Sequence, residues 1–379
     1  MSNPKVSIVM TNYNGEKFIR EAIQSVLSQT CTDWELIIVD DCSTDSSLSV
    51  AEEFHDPRIR IIRCEANGQV SMAHNVGNKA AAGEYIATLD NDDLWAPEKL
   101  EKQIQYLEEH PNTDLCFTLA NFIDESGNPI EDKELEAIIS IANRSREEWL
   151  HLFLTTGNHL LTDSSVIRRK VLETVGDNDI CLLQLHDYDY WVRSALHFNF
   201  YIIEEPLMSY RRHSASLSAA SYGKIHRTCF EFAWIIGRTI TEMPADLFRK
   251  VFRAEMKCPK EKSEAAVLCE KAILLSSDLL HENCRAFAFP LFKKILADSK
   301  TAEVLKNVYG MTQHDVYKVT EIVIFFDRYS SHEYMMQYKQ YEELQKQYGE
   351  LEKKYEQLSR EFEKHQTIMK KLLNRIIGR

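Results

Sequence analysis

Five apolar, largely β-branched runs recur along the first 125 residues, and each predicts a buried β-strand. The runs are 6–11, 35–40, 58–62, 84–89 and 115–122. Segments with helical hydrophobic periodicity alternate with them, at 16–29, 47–54, 70–82 and 97–109. Pro97 suits the first turn of a helix, and Gly83 suits the end of one. This alternation predicts βαβ units that form a mainly parallel sheet flanked by helices.

The periodicity changes twice further along the chain. Residues 126–220 are less regular, although 145–154 and 185–198 have helical spacing. From about residue 221 to 330 the pattern predicts helices only. We therefore predict an α/β domain at 1–220, a helical accessory region at 221–330 and a separate tail at 331–379.

The tail has a seven-residue repeat. Aromatic residues or methionine occupy one position of each heptad, and leucine occupies the position three residues later. The repeated residues are Tyr334, Tyr341, Tyr348, Tyr355, Phe362 and Met369, with Leu344, Leu351, Leu358 and Leu372. This repeat predicts a coiled coil, and hence a homo-oligomer. One long helix packed on its own globular domain is the alternative.

The last eleven residues, MKKLLNRIIGR, contain four basic residues and no acidic one. Such a segment suits peripheral contact with an anionic membrane surface. It equally suits a solvated helix end, where cations complement the helix dipole.

The composition limits the classes of function. A formal net charge of -13 disfavours nucleic-acid binding, which needs clustered Lys and Arg. The nine cysteines form no CxxC pair, which favours reduced thiols over a disulfide framework or a zinc site. The N-terminus does not have the pattern of a signal peptide, and no apolar stretch reaches the ~18 residues of a spanning helix. We expect a cytoplasmic protein.

Acidic residues directly follow two of the predicted strands. Asp40 and Asp41 follow the second run, and Asp90, Asp92 and Asp93 follow the fourth. The carboxyl ends of parallel strands share one edge of a sheet, so we expect the two clusters to meet there. A helix cap would account for one aspartate of the second cluster. A Mg²⁺ or Mn²⁺ ion that bridges carboxylates to a substrate diphosphate accounts for more of them.

Four segments, in this order along the chain, resemble the inverting glycosyltransferases of family 2. They are 6–47, 67–95, HDYDYWVR at 186–193 and YRRHSASLS at 210–218. The resemblance covers about residues 4–220. It implies the GT-A fold, a nucleotide-diphospho-sugar donor and a divalent metal, Mn²⁺ or Mg²⁺.

The same resemblance implies a role for each matching residue. Asp187 is the catalytic base, Asp92 is the metal ligand of a DXD motif, and His213 approaches the metal or the diphosphate. Thr11 and Tyr13 line the base pocket. The full set of expected donor-binding residues is Thr11, Asn12, Tyr13, Asp41, His74, Asn75, Asp90, Asn91 and Arg212.

Within the donor-binding set, Asp41 is expected to accept a hydrogen bond from the nucleotide base, and Asp90 is expected to contact the ribose. Asp40 and Asp41 can exchange roles, one capping the next helix while the other binds.

Two further assignments stay open at this point. Asp187 and Asp189 share one helical segment, and either can be a solvated first-turn acid. His213 follows two arginines, so it can also belong to an ordinary surface cluster. The family often has Arg-Asn where this chain has His74–Asn75, and Glu-Asp where it has His186–Asp187.

These residues predict a metal-dependent inverting glycosyltransferase that uses a UDP-sugar in preference to a dTDP-sugar. The acceptor is expected to be a glycan, a lipid-linked molecule or a protein, in synthesis of a cell-surface polysaccharide or glycoconjugate. The alternative is a coiled-coil assembly protein whose first domain binds a nucleotide sugar without turnover. A nucleotidyltransferase is disfavoured, because "TNYNGEKF" lacks the glycine-rich basic loop that a triphosphate requires.

Overall fold

The computed structural model describes residues 3–213 and 222–321, together with part of the tail. The described tail residues are 340, 341, 343–349, 351, 354, 355, 358 and 365. The chain divides into two compact units, Met1–Val323 and Ile324–Arg379. The basic segment 369–379 and the proposed membrane contact lie outside the described residues.

Eight strands form one mixed sheet in the order β3-β2-β1-β4-β7-β6-β8-β5. They are β1 (Val6–Asn12), β2 (Trp34–Asp40), β3 (Ile59–Arg63), β4 (Tyr85–Asp90), β5 (Leu94–Trp95), β6 (Leu115–Ile123), β7 (Val166–Arg168) and β8 (Phe200–Arg211). The β3-β2-β1-β4 half is parallel throughout. In the other half β7 is antiparallel to both neighbours, so the sheet is less parallel than the sequence indicates.

Helices flank the sheet and then form the whole accessory region. The helices of the first 200 residues are α1 (Ile19–Leu27), α2 (Ser47–Glu52), α3 (Gln69–Ala80), α4 (Lys99–Glu109), α5 (Lys133–Ile139), α6 (Arg146–Thr156), α7 (Arg169–Val175) and α8 (His186–Ala195). The accessory helices are α9 (Tyr222–Glu242), α10 (Ala245–Val251), α11 (Glu264–Leu275), α12 (Arg285–Ala297), α13 (Ser299–Tyr309) and α14 (Gln313–Glu321). Short 3₁₀ turns at Thr162–Ser164 and Glu282–Cys284 complete the elements. Among the described residues, no helix is long and apolar enough to cross a membrane.

The central strands are apolar at successive positions because both of their faces are buried. Val9 and Ile37 face one core, whereas Ile8 and Leu36 face the other. This burial on two sides is typical of a sheet covered by helices on both faces. It explains why these strands read as continuous apolar runs instead of alternating ones.

One of the two cores extends from the sheet into the accessory region. It contains Trp149 of α6 and Tyr188 of α8 together with Ile236 of α9 and Phe292 of α12. The helical region therefore packs within the same compact unit as the sheet. The domain boundary at residue 220 stays a prediction.

Two local expectations differ from the structure. Helix α3 ends at Ala80, three residues before Gly83, and Ala81 is already extended. Gly83 instead lies against β1, where a Cβ atom would come within 2.4 Å of the backbone nitrogen of Ser7. Pro97 lies just outside α4, since the helix begins at Lys99.

Candidate active site

The carboxyl ends of β2, β1 and β4 lie side by side, which brings the two acidic clusters together. Asn12 pairs with Asp40 in the register of β1 and β2, and Thr11 pairs with Asp90 in that of β1 and β4. The Nδ2 atom of Asn12 donates to Oδ1 of Asp40 (2.7 Å), and its Oδ1 atom accepts from Asn91 Nδ2 (2.7 Å). Asn12 thus joins both clusters along one edge of the sheet, which we call the rim.

The loops of the rim have a constrained backbone. Asn14, Cys42 and Gln69 follow β1, β2 and Gly68, and all three have positive φ angles of 52°, 67° and 67°. Left-handed conformations are uncommon for residues other than glycine, and they concentrate at functional sites. Close packing adds a second constraint, because a Cβ atom on Gly15 would lie 2.0 Å from Nδ2 of Asn91.

Asp40 and Asp41 have different environments. Both carboxylate oxygens of Asp40 accept hydrogen bonds within the rim, from Asn12 and from the backbone nitrogen of Ser43 (3.2 Å). Asp41 accepts from the backbone nitrogen of Gly68 (2.8 Å), and burial raises the pKa of its carboxyl above the ordinary value. The nearby Tyr13 side chain is 52% exposed. The arrangement favours Asp41 over Asp40 as the acidic residue that meets a nucleotide base.

Asp90, Asp93 and Asp163 form a cluster behind the rim, in which Asp93 and Asp163 are buried and Asp90 is half-buried. Asp90 accepts a hydrogen bond from Thr11 Oγ1 (2.9 Å), and its backbone nitrogen donates to Asp163 Oδ1 (2.8 Å). Burial, together with the nearby Asp92, raises the pKa of Asp90 to about 7. Burial also raises the pKa of Asp93 and of Asp163 well above the ordinary value. Desolvation of clustered carboxylates favours their protonated forms, whereas the side chain of Asp92 remains 23% exposed.

Arg211 of β8 fixes the acidic turn from the other side. This fully buried residue donates from its backbone nitrogen to Asp93 Oδ1 (2.8 Å) and from Nε to the carbonyl oxygen of Asp92 (2.8 Å). Its Nη2 atom pairs with Glu21 of α1 (2.7 Å). The neighbouring Arg212 pairs instead with Asp132 (3.2 Å), so its guanidinium is engaged outside the rim.

Asp92 and His213 form the pair best placed to hold a metal ion. Oδ2 of Asp92 lies 2.8 Å from Nε2 of His213, whose side chain is only 9% exposed and packs against Phe18. Within residues 3–213 and 222–321, no three His, Cys, Asp or Glu side chains are arranged around one ion position. Two protein ligands fit Mg²⁺ or Mn²⁺, since these ions usually complete an octahedron with water and substrate phosphates.

Asp187, the second residue of α8, faces a cavity next to this cluster. Its Oδ2 atom accepts from Asn158 Nδ2 (2.9 Å) and more weakly from Thr162 Oγ1 (3.5 Å), and its Oδ1 atom accepts from the backbone nitrogen of Tyr188 (2.7 Å). Asp187 is close enough to Asp90 to raise the pKa of that carboxyl. The cavity has a volume of about 30 Å³, and its lining includes His74, Thr88, Thr162, His186, Tyr190 and Trp191.

Asp189 has a structural environment instead. Its side chain is fully buried and pairs with Arg193 (2.7 Å) and Arg238. Of the two aspartates, Asp187 lines the cavity and Asp189 does not, so Asp187 stays the predicted reactive carboxylate.

His74 and Asn75 are both buried in α3. Burial, together with the nearby His186, lowers the pKa of His74 to about 3, and the two imidazole rings stack at 5.8 Å. His74 is thus neutral and cannot replace the positive charge of the arginine that the family often has here. Asn75 exchanges hydrogen bonds with the backbone of Asn178 (2.9 and 2.8 Å), which ties α3 to the loop before α8.

Several residues that build this site were absent from the sequence-based set. Asp163, Asn158 and Arg211 reach it from segments that are distant along the chain. Asp163 lies in a 3₁₀ turn and has no local sequence pattern that separates it from a surface aspartate. Arg211 adjoins the predicted Arg212, but only the strand register shows which of the two faces inward.

Comparison with solved structures identifies the fold. TarS of S. aureus, solved in complex with UDP, superposes with a TM-score of 0.53 at 16% identity, over 82% of this chain and 93% of that one. The mannosyltransferase PcManGT from Pyrobaculum calidifontis, solved with GDP-Man and Mn²⁺, gives a TM-score of 0.51 at 15% identity, over 85% of each chain. The protein has the GT-A fold, with an added helical region.

Sequence comparison then gives the family. The model of Glycosyl transferase family 2 matches residues 7–176. An uncharacterized glycosyltransferase of Methanocaldococcus jannaschii is 36% identical over 56% of this chain and 72% of its own length. The putative teichuronic acid biosynthesis glycosyltransferase TuaG of Bacillus subtilis is also 36% identical, over 34% of this chain and 51% of its own. The chain belongs to glycosyltransferase family 2.

Proposed function

We propose that the protein is a metal-dependent inverting glycosyltransferase that moves a sugar from a UDP-sugar to a hydroxyl group. The observation that carries the proposal is the position of Asp187. Its carboxylate faces a cavity and is near enough to Asp90 to raise the pKa of Asp90, and Asp92, which pairs with His213, raises it as well. The candidate base and the candidate metal ligand therefore both lie close to Asp90.

Inversion requires a single displacement at the anomeric carbon. The acceptor hydroxyl attacks as its proton moves to a carboxylate oxygen of Asp187, and the bond to the nucleoside diphosphate breaks. Asn158 orients this carboxylate by donating to Oδ2, which keeps an acceptor lone pair free for the proton. No second nucleophilic carboxylate is needed, in contrast to retaining hydrolysis.

The other half of the chemistry concerns the leaving group. Asp92 and His213 would hold Mn²⁺ or Mg²⁺, which neutralises charge that develops on the leaving diphosphate. Arg211 supports this arrangement indirectly, because it binds the backbone carbonyl of Asp92 and leaves the carboxylate of Asp92 to pair with His213. The buried carboxyls of Asp93 and Asp163, with their raised pKa values, hold the turn without adding full negative charges.

A UDP-linked donor suits the residues of the rim. Asp41 retains an oxygen that can accept the N–H of a uracil, and the exposed ring of Tyr13 offers a surface for base stacking. The other residues of the proposed donor site are Thr11, Asn12, His74, Asn75, Asp90, Asn91 and Arg212. The UDP complex of TarS is in accord with this choice, although the GDP-Man complex of PcManGT shows that related folds accept another nucleotide.

Calorimetry of nucleotide binding tests the proposed function. With Mn²⁺ present, we expect UDP to bind at least about 10-fold more tightly than dTDP or GDP, and the affinity to fall when a chelator removes the metal. A panel of UDP-glucose, UDP-galactose and UDP-N-acetylglucosamine then identifies the donor by UDP release. Failure of all three nucleotides to bind with Mn²⁺ would contradict the donor assignment. Tight UDP binding without any turnover would favour the coiled-coil assembly protein instead.

The class of acceptor is proposed from the function for which a similar protein is named. TuaG is named for teichuronic acid biosynthesis, which makes a glycan of a cell-surface polymer a reasonable acceptor class. We propose that this protein extends a surface polysaccharide or glycoconjugate, on a glycan, lipid-linked or protein acceptor. The peripheral membrane contact of 369–379 belongs to this proposal.

The tail is proposed to form a coiled coil between copies of the chain. Every described residue from 340 to 365 is helical. The described heptad residues are exposed by 56–75% of their surface: Tyr341, Leu344, Tyr348, Leu351, Tyr355 and Leu358. An apolar stripe this regular is typical of a helix whose partner is another helix.

Charged substitutions within the stripe test the oligomer. The double variant Leu344→Lys, Leu351→Lys is expected to sediment as a monomer of 44.0 kDa, whereas the wild-type protein sediments as an oligomer. The cause is the cost of burying two lysines in an apolar seam. The control, Gln345→Lys with Gln347→Lys, adds the same charge outside the stripe and should leave the oligomer intact. A monomeric wild-type protein at micromolar concentration would refute the coiled coil.

A further inference from the structure

The helix that carries Asp187 has no cap of its own. Helix α8 begins at His186, and the residue at its N-cap position, Leu185, has an apolar side chain that caps nothing. Backbone N–H groups at a helix start need acceptors, which are usually supplied by a local Ser, Thr, Asp or Asn. The three residues that directly precede α8 also have backbone N–H groups that need acceptors.

Glu231 of the accessory helix α9 supplies them. Its Oε1 atom accepts from the backbone nitrogen of Leu183 (3.0 Å), and its Oε2 atom accepts from those of Gln184 (2.9 Å) and Leu185 (2.8 Å). The residue is only 2% exposed. A carboxylate with three backbone donors makes charge-assisted hydrogen bonds, which are stronger than neutral ones.

Further contacts fix the same segment. The ring of Phe232 stacks on Tyr188 with centroids 5.4 Å apart, and Arg238 pairs with Asp189. From the opposite side, Ser71 of α3 donates to the carbonyl oxygen of Leu182 (2.9 Å). The segment that leads into α8 is thus held between α3 and the accessory helix α9.

We propose that Glu231 is a positioning residue, which sets the place of Asp187 by anchoring the start of α8. The inference rests on the proposed function, since it assigns the accessory helices a role in that reaction. Asp187 follows the last anchored nitrogen by only two residues. Loss of the anchor lets the start of α8 shift, and a displacement of about 1 Å at a catalytic group can cost on the order of 10²-fold in rate.

The test compares two buried glutamates of the accessory region. Glu231→Gln replaces one acceptor oxygen with an NH₂ group that faces backbone N–H groups. The control, Glu270→Gln in α11, makes the same change at a residue that is also 2% exposed and accepts from the backbone nitrogens of Lys257 (3.0 Å) and Cys258 (2.7 Å). Both variants lose one buried charge, but only the first touches α8.

Three quantities are measured for the full-length variants. They are amide hydrogen exchange of peptides that cover 183–190, calorimetric affinity for UDP with Mn²⁺, and UDP release from the UDP-sugar that the wild-type protein turns over fastest. For Glu231→Gln we expect faster exchange in that peptide, a fall in kcat of about 10- to 100-fold, and a UDP affinity within about twofold of wild type. Glu270→Gln should change none of the three. If Glu231→Gln fails to fold, Glu231→Asp is used instead. Its shorter side chain keeps the charge but cannot reach all three nitrogens. It should likewise give faster exchange and a lower kcat with an unchanged affinity for UDP.

The outcomes separate this inference from the proposed function. Unchanged exchange at 183–190, or unchanged kcat, in a folded Glu231 variant overturns the inference alone. An equal loss of kcat in the Glu270 control also overturns it, because the effect would then be general destabilisation. Absence of UDP binding and turnover in the wild-type protein counts against the proposed function. The claim that Glu231 positions a catalytic Asp187 would then be lost as well. The exchange result would still decide whether Glu231 anchors the loop.

Discussion

Asp187→Asn is expected to lower kcat by about 10²- to 10⁴-fold, the range that a positioned general base contributes. Asparagine has nearly the same shape, and its Oδ1 atom can still accept a hydrogen bond from Asn158. It cannot take the proton of the acceptor hydroxyl. The affinity for UDP with Mn²⁺ should therefore stay within about twofold of wild type, as measured by calorimetry beside UDP release.

The control for this variant is Asp177→Asn. Asp177 lies in the loop before α8, and its side chain forms one exposed ion pair with Lys79 (2.8 Å). Exposed pairs contribute little to stability, about 0–1 kcal/mol, so the control should keep both stability and turnover. Full activity of Asp187→Asn would disprove the assignment of the base.

Asp92→Asn should remove the dependence of both UDP binding and turnover on Mn²⁺. The variant loses the charged ligand of the proposed metal position, while its backbone carbonyl still accepts from Arg211. Since a metal stabilises a transition state by several kcal/mol, kcat should fall on the order of 10²- to 10³-fold. Titration of UDP in the presence and absence of Mn²⁺ gives the binding part, and UDP release gives the rate.

The adjacent residue offers a matched control. Burial raises the pKa of Asp93 well above the ordinary value, and its Oδ1 atom accepts from the backbone nitrogen of Arg211. Asparagine mimics a protonated aspartate in this position, so Asp93→Asn should keep the response to Mn²⁺. If Asp92→Asn responds to Mn²⁺ as the wild-type protein does, Asp92 is not the metal ligand.

The central strands of the parallel half could be predicted because they are buried on both faces. Strands β1, β2 and β4 are mostly apolar, and the structure confirms all three within one or two residues. In the other half, the run at 115–122 predicted β6, but the remaining strands gave weaker patterns. Strand β5 has two residues and β7 has three, and β8 contains an exposed bulge around Pro206. Such short or irregular strands are stabilised by pairing with neighbouring strands, so the local hydrophobic periodicity of the sequence does not detect them.

The residues of the candidate site also fall into those that the sequence could predict and those that it could not. Residues at strand ends, such as Asp41 and Asp92, could be found because topology dictates where strand ends meet. Asn158 and Asp163 could not, since their importance depends on contacts with Asp187 and Asp90. Asn12 and Asn91 stay predicted donor-binding residues, and their side chains also bond to each other. A sequence motif does not distinguish a residue that contacts a ligand from one that shapes the loop beside it.

The core shared by the sheet and the accessory helices has a consequence for truncation. Ile236 of α9 and Phe292 of α12 belong to the same apolar core as Trp149 of α6 and Tyr188 of α8. A chain cut at residue 220 would leave the apolar side chains that these helices cover exposed to water. Such a fragment is therefore expected to aggregate, although the sheet itself would be intact in sequence.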